Sequence, residues 1–207
     1  MSDTLTIQDL KKPDTQAPLT DLLAKRWSPR AFADTPIAPE VLVSLLEAAR
    51  WSPSSSNEQP WRFIVGQKGN PIHEKLVDVL MEGNQGWAQH APVLMLAVAR
   101  MTRERNDSPN GHAWHDVGAS LAHLTIQAAA HDLYVHQMGG YHADKATETF
   151  NIPEPFKPVT AVALGYLGDV DALDDAKKER ELATRSRKPL SELVFTDTWG
   201  ETNPLVK

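Results

Sequence analysis

Between Trp114 and His131, Val117, Leu121, Leu124 and Ala128 recur at i, i+4, i+7 and i+11, while Ala119, Ala122, Ala129 and Ala130 fill much of the remaining surface. A helix that is small and apolar nearly all round has to be covered on more than one side. In a chain of 207 residues this predicts a central helix, one that packs against a second subunit as well as against its own fold.

The segments around it read as short strands and amphipathic helices. Pro92 to Ala99 is apolar nearly throughout and rich in branched residues, as a central strand should be. Trp61 to Val65, Leu133 to Met138 and Val159 to Leu167 predict three further strands, the second ending at Gly139 and Gly140, where a backbone can approach a ligand closely. Leu19 to Ala24 suits a short helix. A longer one starts at Pro39, where proline is tolerated in the first turn, carries Val41, Leu42, Leu45, Leu46 and Ala49 on one face, and ends near Trp51. Ile72 to Met81 is helical in period, and Gly83-Asn84-Gln85-Gly86 is expected to break that helix. Thr102 to Gly111 suits a surface loop. Asp169 to Arg187 reads as a polar connector or exposed helix with little to bury, and Pro189 to Trp199 as an apolar tail suited to docking on a neighbouring subunit.

No linker or repeat divides the chain, so the expectation is an N-terminal arm over 1–18 and a single domain over 19–207. Cysteine is absent, which removes disulfides, thiolate nucleophiles and cysteine-based metal sites. The polar start, Met1-Ser-Asp-Thr-Leu-Thr-Ile, lacks the order of a signal peptide, and Ala91 to Ala99 is too short to span a bilayer, so no membrane partner and a cytoplasmic location are expected. The formal charge of −6 argues against a general nucleic-acid partner. Against that background Arg26 with Arg30, and Arg185 with Arg187, form two basic clusters that suit a phosphate or carboxylate, or simply a solvated surface.

Several chemistries are excluded by pattern. There is no Gly-x-Gly-x-x-Gly, no Walker-type phosphate loop and no Gly-x-Ser-x-Gly elbow around Ser54 to Ser56. His112, His115, Asp116, His123 and His131 lie along the long helix, but no third ligand at metal spacing is evident, so no metal is expected.

The segment Trp51-Ser-Pro-Ser-Ser-Ser-Asn-Glu-Gln-Pro-Trp61 places three hydroxyls and an amide between two prolines and two tryptophans. It reads either as a binding loop offering donors to a planar polar ligand or as a helix-ending turn, since the same residue types serve both. Its place in the chain narrows the choice. Arg26-x-Ser28-x-Arg30, an amphipathic helix, this loop with a strand directly after it, a Gly-Gly step past the middle, and Arg185-x-Arg187-Lys-Pro-Leu near the end follow in one order. That order resembles the FMN-dependent nitroreductase family, over roughly Leu19 to Trp199.

The resemblance implies an α+β, nitroreductase-like three-layer sandwich with a central mixed sheet flanked by helices, in an intertwined homodimer that holds FMN at its interface. It implies that Arg26, Trp27, Ser28 and Arg30 form the first flavin-contacting segment, with Arg26 toward the phosphate. Arg185 and Arg187 would complete the phosphate contacts, and Pro53, Ser54, Ser55, Ser56 and Asn57 would reach the flavin of the other subunit. Met138, Gly139 and Gly140 would lie near the reactive edge of the ring, with Asn84 a further ring contact.

The implied activity is hydride transfer from NADH or NADPH through flavin N5 to a nitroaromatic, quinone or similar small acceptor by a ping-pong mechanism. Arg30 is the residue expected to stabilise the reduced flavin. The alternative is a flavin-binding sensor or interaction protein without significant turnover. Substrate preference is not implied, because the run His131 to Gln137 and the segment around Trp87 depart from patterns common in such proteins.

Overall fold

The computed structural model describes residues 6–206; the first residues of the expected arm lie outside them. The chain divides into two compact units, one formed by Arg26–Glu181 and a smaller one formed by Met1–Lys25 together with Leu182–Lys207.

In the smaller unit, α1 (Ile7–Leu10) is capped by Thr6, whose hydroxyl accepts from the Asp9 N–H while the Asp9 carboxylate accepts from the Thr6 N–H. α2 (Asp21–Lys25) follows. Both ends of the chain are stitched together here. The Lys11 ammonium donates to the carbonyl of Ala183, Arg185 Nη2 donates to the carbonyl of Ala24 at 2.7 Å, and the Leu190 N–H donates to Gln16 Oε1 at 2.8 Å. The apolar tail pairs the rings of Phe195 and Trp199 at 5.1 Å, yet Trp199 remains 93% exposed.

In the larger unit the order is α3 (Pro39–Arg50), β1 (Trp61–Gln67), α4 (Pro71–Asp78), α5 (Glu82–Ala88), β2 (Val93–Arg100), α6 (Ala113–Ala130), β3 (Tyr134–Met138), α7 (Ala143–Thr149), β4 (Phe156–Gly165) and α8 (Asp175–Leu182). The four strands form one sheet in the order β1-β2-β4-β3. β2 is apolar throughout because it is central and covered on both faces. Val93, Met95, Ala97 and Ala99 join Leu45 and Ala49 of α3 and Leu121, Leu124 and Ala128 of α6 in one core, while the alternate residues Leu94, Leu96 and Val98 are buried on the opposite side. Helices thus cover both faces, which gives the three-layer α+β arrangement. Every pairing within the sheet is antiparallel, where the resemblance implied a mixed sheet. A parallel neighbour needs a crossover that carries the chain back to the end where the first strand began, and the helical connections from β1 to β2 and from β3 to β4 instead return the chain beside itself in the opposite sense.

α6 buries Val117, Leu121, Leu124 and Ala128 against this core as its spacing predicts. Its other side, with Trp114, Gly118, Ala122 and His123, is exposed in the single chain.

The expected break at Gly83 to Gly86 is not a break. α4 stops at Asp78, and the turn falls at Val79 to Met81, where the Met81 N–H is taken by the carbonyl of Gly140 at 3.0 Å. Gly83 and Gly86 then lie inside α5. Each glycine costs about 1 kcal/mol in a helix interior. Trp87 and Ala88, at 1% and 0% exposure, offset that by burying a large aromatic surface. α7 carries no strong periodicity and is not expected from the sequence. Among the described residues, no helix is long and apolar enough to cross a membrane.

Candidate functional site

Arg26 to Arg30 lies outside the helices and strands and alternates in exposure: Trp27 and Pro29 are buried, Ser28 is exposed, and Arg26 and Arg30 are half-buried. The next residues of the chain anchor it. Phe32 bridges to Leu167, the Ala33 N–H donates to the Tyr166 carbonyl, and the Gly168 N–H donates to the Ala31 carbonyl, the last two at 3.0 Å. The approach is so close that a Cβ on Gly168 would lie 2.4 Å from the carbonyl carbon of Phe32.

The segment lies along β3. Trp27 meets Tyr134 edge to face with ring centroids 6.0 Å apart, and Nδ1 of His136 is 2.7 Å from the carbonyl oxygen of Pro29. A carbonyl only accepts, so Nδ1 carries the proton. Trp87 packs on the same imidazole with centroids 4.5 Å apart. Burial pushes the His136 pKa down to about 4, with the Arg30 guanidinium adding to the shift and the Pro29 hydrogen bond opposing it. The ring is therefore neutral near pH 7.

Tyr134, His136 and Met138 share one face of β3 by its two-residue period. The Met138 carbonyl accepts from the Thr160 hydroxyl at 2.9 Å. The Gly140 carbonyl accepts from Asn84 Nδ2 and from the Met81 N–H, each at 3.0 Å. A Cβ on Gly140 would lie 2.6 Å from Asn84 Nδ2, whereas one on Gly139 would meet nothing within 4 Å. The close approach at this step is thus made by Asn84 on Gly140, and Gly139 is the position left open.

The Pro53 to Asn57 loop is held by a different set of contacts, at the end of α3 and the start of α6. Asp116, 2% exposed, accepts the Ser55 N–H at 3.0 Å, and Ser54 Oγ accepts the Gln59 N–H at 3.0 Å. Ser120 of α6 donates to the carbonyl of Ala49 in α3 at 3.1 Å, which fixes the two helices that carry the loop and its anchor. Ser56, Asn57 and Gln59 have φ of 53°, 57° and 45°. Three non-glycine residues in the left-handed region within four positions is a costly conformation that the surroundings must impose. The exposed Ser56 and Asn57 are what this backbone presents.

The structure thus brings Arg26, Trp27, Ser28 and Arg30 beside the strand that leads to Met138, Gly139, Gly140 and Asn84, and gives Pro53 to Asn57 an anchor of its own. Arg185 and Arg187 belong to the smaller unit, where Arg187 and Lys188 line a cleft of about 500 Å³ with Thr15, Gln16 and Leu190.

Three positioning groups are not legible as such in the sequence. Asp116 stands there among the candidate metal ligands; its carboxylate instead holds the serine loop, with His115 Nδ1 at 3.1 Å from its other oxygen. His136 is an ordinary polar position in a strand. Glu181 lies in a run of charge. None of the three sits in a pattern that announces its partner.

The nitroreductase family profile matches residues 23–166. The uncharacterized 15.4 kDa protein in the ask 5′ region of Mycolicibacterium smegmatis is 34% identical over 152 residues, 70% of this chain and 99% of that protein. The nitrobenzene nitroreductase of Ectopseudomonas oleovorans is 28% identical over 111 residues, 53% of this chain and 49% of that protein. Among solved structures, an oxidoreductase containing FMN superposes with a TM-score of 0.85 at 36% identity, covering 91% of this chain and 96% of that one. The family read from the order of the arginines, the serine loop and the glycine step is the family these matches show: the chain belongs to the nitroreductase family.

Proposed function

We propose that the protein is an FMN-dependent oxidoreductase that takes hydride from NADH or NADPH and delivers it to a nitroaromatic, a quinone or a similar small acceptor. The observation that carries this reading is the convergence along β3 of the Arg26 to Arg30 segment with Met138, Gly139, Gly140 and Asn84. The relatives support it: the superposed oxidoreductase contains FMN, and the Ectopseudomonas oleovorans relative reduces nitrobenzene by name.

The donor set fits a flavin mononucleotide. Arg26 and Arg30 are half-buried cations flanking an exposed Ser28 hydroxyl, and Gly139 leaves room at the strand end for a planar ring. When bound, FMN supplies hydride acceptance and return, which no side chain here can provide. With FMN bound, Arg30 would supply positive charge to the reduced ring, and Arg26 would hold the phosphate. Arg185 and Arg187 are assigned to the phosphate by family resemblance alone. His136 stays neutral and adds no competing charge. Reductant and acceptor use one place in turn, so initial-rate lines should be parallel across both substrate concentrations; intersecting lines would exclude the shared place.

The protein acts as a homodimer in this reading. A second copy covers the exposed side of α6, and the strained Pro53 to Asn57 loop serves the flavin of that copy. A variant held monomeric should lose FMN.

The test is direct. The purified protein should be yellow, bleach with NADH or NADPH, and recover its colour with nitrobenzene or a quinone. A protein that binds FMN but resists reduction would be a flavin-binding sensor, and one that cannot be reconstituted with FMN would overturn the reading.

A further inference from the structure

α8 is a polar helix, Asp-Ala-Lys-Lys-Glu-Arg-Glu-Leu, and a single one of its residues is buried. That residue is an acid. Glu181 is 1% exposed, and a carboxylate in such a place needs several donors to offset the loss of water. It finds them on the candidate flavin segment. Oε1 accepts the Arg30 N–H at 2.9 Å and the Ala31 N–H at 3.4 Å, and Oε2 accepts the Arg30 N–H at 3.1 Å. Oε2 also lies 3.9 Å from Nη1 of the Arg30 guanidinium, whose side chain is 27% exposed. One carboxylate therefore both clamps the backbone of Arg30 and stands beside its charge.

We propose that Glu181 is a positioning residue that fixes Arg30 and limits how much positive charge Arg30 presents to the bound flavin. The proposal rests on the assignment of Arg30 to the reduced flavin made above. Paired with Glu181, the guanidinium acts on a ligand as part of a dipole, and its field falls off faster than that of a lone cation. The pair thereby holds the flavin potential below the value that an uncompensated arginine would set. The backbone clamp and the counter-charge are separable. In Glu181→Gln the amide oxygen can still accept both N–H groups, as Oε1 does now, while the negative charge is gone.

The experiment measures the midpoint potential of the FMN-loaded dimer for wild type, Glu181→Gln, Glu181→Asp and Arg30→Ala, together with thermal melting of each. Glu181→Gln should shift the balance between oxidised and reduced flavin about tenfold toward the reduced form, an increase of about 30 mV for a two-electron couple. Glu181→Asp, which keeps a buried acid and draws it back by one methylene, should move the potential in the same direction by less, and it carries the test should the glutamine variant not fold. Arg30→Ala should lower the potential.

A merely structural Glu181 predicts lower melting with the potential unchanged or lowered in both Glu181 variants. That result, with Arg30→Ala still lowering the potential, overturns the proposal and leaves the flavin site standing. If none of the variants moves the potential of bound FMN, Arg30 does not face the flavin, and the site assignment fails along with the role of Glu181.

Discussion

The imidazole of His136 donates from Nδ1 to the carbonyl oxygen of Pro29 at 2.7 Å, tying the arginine segment to β3 through a ring that is neutral in the folded protein. Its pKa of about 4 when folded stands against about 6.5 for an unfolded histidine. Above pH ~6.5 both states are neutral and the full contribution to stability is present.

As the pH falls toward 4, the unfolded chain takes up the proton first, and stability is lost by on the order of 3 kcal/mol in all. Urea unfolding at pH 7 and pH 4.5 measures the loss. His73, buried with Nε2 at 2.9 Å from the Ala91 carbonyl and its pKa lowered mainly by burial, adds a change of the same sign. The comparison with His136→Asn, whose amide can donate to Pro29 without titrating, isolates the larger part. An unchanged pH profile in that variant would assign the loss elsewhere.

Arg30 and Arg187 should divide their labour. Arg30→Ala should lower the flavin midpoint potential more than Arg187→Ala does. Arg187→Ala should weaken FMN binding by roughly one to two powers of ten, the effect of losing a charged donor to a phosphate. Potentiometry and FMN titration read the two quantities separately, and equal effects of both variants on both quantities would defeat the division.

The serine loop depends on Asp116. Asp116→Ala removes the acceptor of the Ser55 N–H from a buried place and should cost about 1–3 kcal/mol in urea unfolding. Asp116→Asn retains an oxygen that can accept and should recover much of that. If the loop serves the flavin, FMN affinity falls in the alanine variant and recovers in the asparagine one. A loss of stability without any change in FMN affinity would make the loop a turn and nothing more.

Two glycine substitutions should behave in opposite ways. Gly168→Ala drives a methyl group into the backbone of Phe32, which cannot swing aside, and should cost at least about 1–3 kcal/mol by displacing the segment after Arg30. Gly139→Ala meets open space and should leave melting of the FMN-free protein unchanged. Weakened FMN binding in Gly139→Ala would place the cofactor at that position, and wild-type affinity would place it elsewhere.

Much of the fold is legible in the sequence because its strongest signals are redundant. α6 and β2 are apolar over lengths and periods that admit one reading each, and their burial follows. Gly83 to Gly86 mislead because local propensity omits the tertiary contact that decides the matter, the burial of Trp87. The antiparallel sheet is equally out of reach, since strand sense depends on how connections run and not on strand composition.

At the candidate site, the residues proposed to face a ligand carry a pattern in their order along the chain, whereas the residues that hold them do not. Asp116, His136 and Glu181 act across 61, 107 and 151 positions of sequence, on backbone groups whose identity leaves no mark in the sequence.

The smaller unit joins residues near both ends of the chain, through Lys11 to Ala183, Ala24 to Arg185 and Gln16 to Leu190. On the ribosome its first half therefore emerges long before its second, and waits while every strand of the sheet between them is translated. The arginines at 185 and 187 arrive with that second half. A released chain truncated after residue 181 should already resist proteolysis across the sheet while residues 6–25 remain open to it. If Arg185 and Arg187 hold the phosphate as proposed, a product interrupted before them would be folded at its centre and still be cofactor-free.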